Sequence, residues 1–300
     1  TFTANALAAP DTPKVSYQLS TTATSESHFE MLQKLELSHD AHRMLAAYCV
    51  DQKIEFMSTP YDITSAKFLK SIGVRMFKTA SADLVDLPLQ RYIALTGEPS
   101  IVATGMATLG EIERVVRIYE EAKNPHLVLL HCVSNYPCSD ESLNMRAMNT
   151  LANAFDLPVG FSDHSEGHLA ATIAVARGAK VIEKHFTLDQ SMPGPDHKAS
   201  STPEQFAELV KNVRRTERML GHQRKLCQPE ERQMAAVSRK SIVLARSVSS
   251  GEILNFDAFE LRRPGTGIDA SHMEKLVGKR SRLDFPVGHQ LSWSDVEDRV

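Results

Sequence analysis

Two histidines, His164 and His185, carry the sharpest chemical signal in this sequence. Each closes a short apolar run that reads as a parallel strand, and each stands near an acid, Asp163 or Glu183. Imidazoles at the ends of adjacent strands suit a divalent metal. The neighbouring carboxylates are candidates to orient the rings. The competing reading is a pair of hydrogen-bonded structural histidines. Lys78 also ends an apolar strand, which argues against a surface position. It is a candidate phosphate clamp or Schiff-base nucleophile. The other strand ends supply Ser58, Thr59, Ser81, Thr104, Gly105, Ser134, Asn135, Tyr136 and Ser162. Hydroxyls grouped with one lysine suit a phosphate or a carboxylate. The turn Met192-Pro193-Gly194-Pro195-Asp196-His197 is fixed by Pro and Gly, and it reads either as plain turn chemistry or as a loop that holds Asp196 over the site mouth. His131 reads as packed, and His28, His39, His42 and His222 as solvated.

Bringing these residues together takes a regular alternation of elements. Strands are expected at 54–59, 75–79, 100–104, 127–132, 159–162 and 180–186. Helices are expected between them: one capped by Ser38 and running through Tyr48, one capped by Thr64, then 87–95, 109–122, 145–155 and 168–177. Thr202-Pro203-Glu204 opens a last long helix that ends near Gly221. Strict alternation argues for a parallel α/β architecture. No G-x-G-x-x-G follows a strand, so a dinucleotide fold has no support. In parallel barrels the active site lies at the C-terminal strand ends, where these residues cluster. Residues 222–236 are polar and read as a linker. Residues 237–300 read as a compact β module of about 60 residues, a size that can fold alone.

The bulk numbers exclude several classes. The 300 residues are 42% hydrophobic and 24% charged, with a formal net charge of -3. Nothing calls for nucleic acid or an anionic membrane as partner. Four cysteines occur with no C-x-x-C pair, which reads as reduced thiols in a cytoplasmic protein. No apolar run is long enough to cross a membrane, and no signal peptide is visible.

Several motifs occur in a fixed order: Phe77-Lys78-Thr79-Ala80-Ser81, Thr104-Gly105-Met106-Ala107-Thr108, His131-Cys132 with Tyr136-Pro137, Gly160-Phe161-Ser162-Asp163-His164, Glu183-Lys184-His185-Phe186-Thr187 and the 192–197 turn. Together they resemble the sialic acid synthase family, which includes N-acetylneuraminate synthase and its legionaminic and pseudaminic relatives. The tail, with Arg239-Lys240-Ser241 and Arg262-Arg263-Pro264-Gly265-Thr266-Gly267, is similar to that family's antifreeze-like (SAF) domain. The resemblance implies condensation of phosphoenolpyruvate with an N-acetylated amino-sugar aldehyde, N-acetylmannosamine or a related sugar, to a nine-carbon 2-keto acid and phosphate. It implies a divalent metal on His164 and His185, Mn²⁺ first and Mg²⁺ or Co²⁺ as alternatives. It places phosphoenolpyruvate against Thr59, Lys78, Ser81, Ser134 and Ser162, and the sugar and its proton transfers against Tyr136, Asp196 and Asp83. It assigns Arg263 to the partner's site in a domain-swapped homodimer.

The chain departs from the family pattern at Ala103, where Ser is usual, and at Ser81-Ala82-Asp83, where Ser-Gly-Glu is usual. The resemblance also implies a TIM (β/α)₈ barrel that lacks its first two strands and an acid they carry. The 300-residue chain alone is therefore expected to be poorly stable or inactive. The rival readings are a non-catalytic remnant that keeps the fold and another metal-dependent barrel aldolase. The 192–197 turn and Lys34-Leu35-Glu36-Leu37-Ser38 lean toward the sialic and legionaminic branches.

Overall fold

The computed structural model describes residues 1–298 except Thr24. The chain divides into two compact units, Thr1–Gly221 and His222–Val300.

In the first unit, short helices α1 (Ala4–Leu7), α2 (Ser16–Thr21) and α3 (His28–Lys34) lead to α4 (His39–Asp51) and α5 (Ile63–Ser71). Then come β1 (Phe77–Thr79), α6 (Leu87–Leu95), β2 (Ser100–Ala103), α7 (Leu109–Glu121), β3 (Leu127–Cys132), α8 (Ala147–Phe155), β4 (Val159–Asp163), α9 (Leu169–Ala176), β5 (Ile182–Lys184) and α10 (Pro203–Leu220). The five strands form one parallel sheet in sequence order, curled as a half-barrel. Local chemistry sets the helix starts. Ser38 caps α4, Asp62 caps α5, and Thr108 and Thr202 form capping boxes with Glu111 and Gln205. Asp62, not the expected Thr64, is the cap of α5, because its carboxylate reaches the Ser65 amide at 2.8 Å.

Period-two alternation splits the strand residues between two faces. Phe77, Val102, Leu129 and Phe161 face the helices and pack with Leu69, Ile93, Val115, Tyr119 and Leu151. Complete burial of a side chain such as Phe161 is worth about 1.5–3 kcal/mol. Ile101, Ala103, Leu130 and Cys132 face the concave interior. Gly160 belongs to this inner face. A Cβ there would sit 2.5 Å from the Val181 carbonyl and 2.6 Å from Leu130 Cδ2, so only glycine lets these strands approach.

Three further expectations change. Residues 54–59 form no strand, and the sheet has five strands where six were expected. The ladder at β1 runs only to β2. The apolar pattern of 54–59 is real, but a strand exists only where a neighbour completes its hydrogen bonds. His42 is buried, not solvated: Nδ1 meets the Ser38 carbonyl at 2.9 Å and Nε2 meets Thr1 Oγ1 at 2.7 Å. The segment read as linker is partly helical, and α11 (Arg232–Ser238) runs across the expected boundary at 236.

In the second unit, β6 (Ser241–Leu244) pairs antiparallel with β7 (Phe259–Arg262). After α12 (Met273–Leu276), β8 (Arg280–Ser281) pairs with β9 (Val296–Glu297). Single bridges such as Val243 to Gln290 and Val248 to Phe285 tie the irregular chain around a core of Ile242, Leu244, Leu254, Ile268, Leu276 and Leu291. Among the described residues, no helix is long and apolar enough to cross a membrane.

Candidate active site

The inward face of the half-barrel ends in a rim of polar groups at the C-terminal strand ends. β1 contributes Lys78, whose ammonium lies 3.3 Å from Glu183 Oε1. β4 contributes Ser162, which donates to the same carboxylate oxygen at 2.7 Å. His164 follows two residues later on the same face, with Nε2 3.3 Å from Ser162 Oγ. Its Nδ1 lies 2.6 Å from the Val133 carbonyl. That contact suits a ring proton on Nδ1 and leaves the Nε2 lone pair toward the interior. His185 lies just past β5, and its carbonyl is anchored by the Ser201 amide at 2.8 Å. The two imidazole centroids are 5.2 Å apart. Tyr136 packs on both, at 4.2 Å from His164 and 5.2 Å from His185.

Alternation corrects one expectation directly. Asp163 does not orient a histidine. It points to the opposite face, fully buried, where Oδ1 accepts from the Ser165 amide at 2.9 Å and its hydroxyl at 2.6 Å. Its Oδ2 meets the Lys184 ammonium at 3.2 Å as an ion pair without hydrogen-bond alignment. Glu183 faces inward but serves Lys78 and Ser162. The acid beside His185 is Asp196, at 3.9 Å from Nδ1.

A small cradle of hydrogen-bonding groups lies beside this group. Ser81 Oγ accepts from the Gly105 amide at 3.0 Å and touches Cys132 Sγ at 3.0 Å. A Cβ on Gly105 would lie 2.3 Å from Ser134 Oγ, 2.8 Å from Ser81 Oγ and 2.9 Å from Cys132 Sγ. Glycine therefore brings a backbone amide, two hydroxyls and a thiol to one point. Ala103 sits in the apolar interior cluster and adds no hydroxyl. Asp83 follows on the 3₁₀ turn Ser81–Val85, and its Oδ2 is buried without a partner.

Burial governs the electrostatics. It holds the His164 imidazole down at about 4 and lowers His185 as well, so both rings favour the neutral, ligating form. It raises Asp196 and pushes Tyr136 up, with Asp196 adding to the second effect. Burial and Asp86 push Asp83 up to about 7 against the pull of Lys78.

Two neutral imidazoles with a nearby carboxylate are suitable donors for a borderline divalent ion. Among the described residues, no group of three or more His, Cys, Asp or Glu converges tightly enough to hold one. The protein thus offers a two-histidine edge, with Asp196 at 3.9 Å as the nearest acid. Among the described residues, Thr59 makes no hydrogen bond to the cluster. Its carbonyl accepts from the Thr1 amine, and its hydroxyl bonds no other site residue among those described. Arg263 lies in the second unit, exposed, and donates to the Ser238 carbonyl at 3.0 Å.

Two tyrosines escaped the sequence reading. Tyr17 packs on Tyr136 at 5.3 Å. Tyr61 is pushed up to about 12 by burial, then by the charges of Asp83, Asp196 and Glu183. Neither follows a strand of the sheet, so a census of strand ends passes over them.

Comparison with known proteins bears on the whole chain. The NeuB family matches residues 1–225 and the SAF domain matches residues 239–297. The N,N'-diacetyllegionaminic acid synthase of Legionella pneumophila is 41% identical over 301 residues, covering 99% of this chain and 85% of that protein. Human N-acetylneuraminate-9-phosphate synthase is 34% identical, covering 93% of this chain and 76% of that protein. The crystal structure of N-acetylneuraminic acid synthetase from Leptospira borgpetersenii, in complex with citrate, has a TM-score of 0.65 and 35% identity, covering 69% of this chain and 72% of that one. On sequence and on fold alike, the chain belongs to the NeuB family and carries a SAF domain after its half-barrel.

Proposed function

We propose that the chain condenses phosphoenolpyruvate with an N-acetylated amino-sugar aldehyde, giving a sialic-acid-type 2-keto acid and phosphate. A bond forms between C3 of phosphoenolpyruvate and the aldehyde carbon. Water adds at C2, and the C2–O bond to phosphate breaks. The observation that carries this reading is the convergence of Lys78, Ser81, Ser134, Ser162 and the Gly105 amide beside two neutral imidazoles. The first group suits a ligand with two anionic ends. The second suits a ligand whose carbonyl must become electrophilic.

In this reading Lys78, Ser81, Ser134, Ser162 and Thr59 bind phosphoenolpyruvate. Tyr136 and Asp196 face the sugar, and Asp83 holds or releases a proton. His164 and His185 would hold a divalent cation, manganese first among the choices, and such an ion supplies Lewis-acid polarisation of the aldehyde. Burial keeps both rings free of competing protons. The homodimer, with Arg263 serving the partner's site, rests on the family resemblance. Identity of 41% to the legionaminic relative against 34% to the human one makes a doubly N-acetylated sugar the first to try.

The test is phosphate release from phosphoenolpyruvate. Release that needs both the amino sugar and a divalent metal supports the reading. Product formation without phosphate release would assign an aldolase instead.

A further inference from the structure

We propose that Tyr17 is a substrate-positioning residue on the sugar side of this site, held against the Tyr136 ring by a loop that Lys14 ties shut. The inference deepens the proposed function and rests on it.

Helix α2 carries Tyr17 and belongs to none of the βα units, yet it touches the site at two points. At one end the Tyr17 ring lies 5.3 Å from the Tyr136 ring, at 45°. Tyr136 in turn covers His164 and His185. At the other end the Thr21 carbonyl accepts from the Gly194 amide at 3.4 Å, and Thr21 Oγ1, which donates to the Tyr17 carbonyl at 2.9 Å, lies 3.4 Å from the Pro195 carbonyl. Pro195 precedes Asp196, the acid beside His185. The helix therefore bridges the Tyr136 turn and the Asp196 turn, and Tyr17 sits on the side that faces both. Burial and the Asp196 charge push its phenol up to about 12, which keeps it a neutral hydrogen-bond donor.

Six residues is too short for a helix to hold itself. Lys14 supplies the constraint. Its side chain is only 3% exposed. Its ammonium donates to Thr22 Oγ1 at 2.9 Å, to the Ala23 carbonyl at 3.0 Å and to Glu26 Oε2 at 3.1 Å. One charge thus ties together the chain before and after α2, and Glu26 is fixed again by Lys34 at 2.5 Å. These bonds use all three donors of the buried ammonium and leave it satisfied.

The chemistry expected of this wall is that of an acetamido sugar. The ring faces of Tyr17 and Tyr136 take the acetyl methyl and the apolar face of the chain. A neutral phenol donates to a hydroxyl or to the acetamido oxygen. Phosphoenolpyruvate, with two anionic ends, belongs by Lys78 and the hydroxyls around Gly105.

The experiment uses the full chain with N-acetylmannosamine and a doubly N-acetylated amino sugar as probes. Tyr17→Ala is expected to raise the sugar KM about tenfold and leave the phosphoenolpyruvate KM within about twofold. Tyr17→Phe, which keeps the ring, is expected to raise the sugar KM about threefold. Lys14→Met loosens the loop and should follow Tyr17→Ala. Equal rises in both KM values, or no rise for the sugar, overturn the assignment. Sugar binding is followed in parallel by saturation-transfer NMR. If the unmodified chain binds sugar but releases no phosphate, the reaction is wrong; loss of that binding in Tyr17→Ala still upholds the positioning role. If the unmodified chain binds neither sugar, the positioning role falls. Should Tyr17→Ala melt early, Tyr17→Phe decides.

Discussion

Replacing Asp83 with Asn should change how stability depends on pH. Asp83 sits on the turn after β1 with one carboxylate oxygen buried and unpartnered. Burial first, then the charge of Asp86, push its carboxyl from 3.8 up to about 7 in the folded chain. The unfolded chain releases this proton near 3.8, while the folded chain keeps it until about 7. Between those values the folded state binds more protons, so stability falls as pH rises and levels off above about 7. A shift of about three units corresponds to about 4 kcal/mol at full burial. The carboxyl is partly solvated, which reduces this to about 2 kcal/mol. Asn keeps the shape and cannot ionise. The gain of Asp83→Asn over the parent should therefore grow by about 1 kcal/mol between about pH 5.5 and pH 8. Urea unfolding followed by far-UV circular dichroism reads the helical first unit, whereas the single tryptophan, Trp293, reports on the second. Parallel stability curves for parent and variant across that range would refute the argument, because they would show a carboxylate already ionised and solvated in the folded state.

Three further outcomes are expected. His164→Ala should abolish metal-dependent turnover, and unchanged turnover in metal-stripped variant protein would remove the metal from the reading. Gly105→Ala should raise the phosphoenolpyruvate KM on the order of tenfold with little change in melting temperature. The three atoms nearest its methyl are the side-chain tips of Ser134, Ser81 and Cys132, which can rotate away but then no longer form the cradle; calorimetry beside kinetics separates the two effects. Asp163→Ala should destabilise the first unit by about 3–5 kcal/mol, because it strands the Lys184 ammonium, whose side chain is 1% exposed. Chemical denaturation checks it.

Much of this molecule is legible in its sequence, for local reasons. Helix α6 spans Leu87–Leu95 as expected, and α10 opens at Thr202-Pro203, because capping side chains act on their own neighbours. The strand ends carrying Lys78, Ser162, His164 and His185 were legible for a related reason, since apolar runs announce buried parallel strands. What was missed depends on distant chain. Residues 54–59 have the composition of a strand and lack the ladder. Asp163 is adjacent to His164 in sequence and opposite to it in space, and only the pleat says which way it points. The buried state of His42 follows from a contact 41 residues away. Tyr17 reaches the site from a helix outside the alternating pattern, by way of an ammonium tie that has no motif.

The pleat has a consequence for how this chain can change. Along β4 and the residue after it, Phe161 and Asp163 face the helix layer, while Ser162 and His164 face the interior, where the proposed ligand would lie. Two messages are thus interleaved in alternate letters of one short string. A library randomised at Ser162 should sort by turnover with expression nearly constant. One randomised at Phe161 and Asp163 should sort by expression. Selection for a new sugar and selection for a sturdier protein can then proceed on the same strands without contending for the same residues.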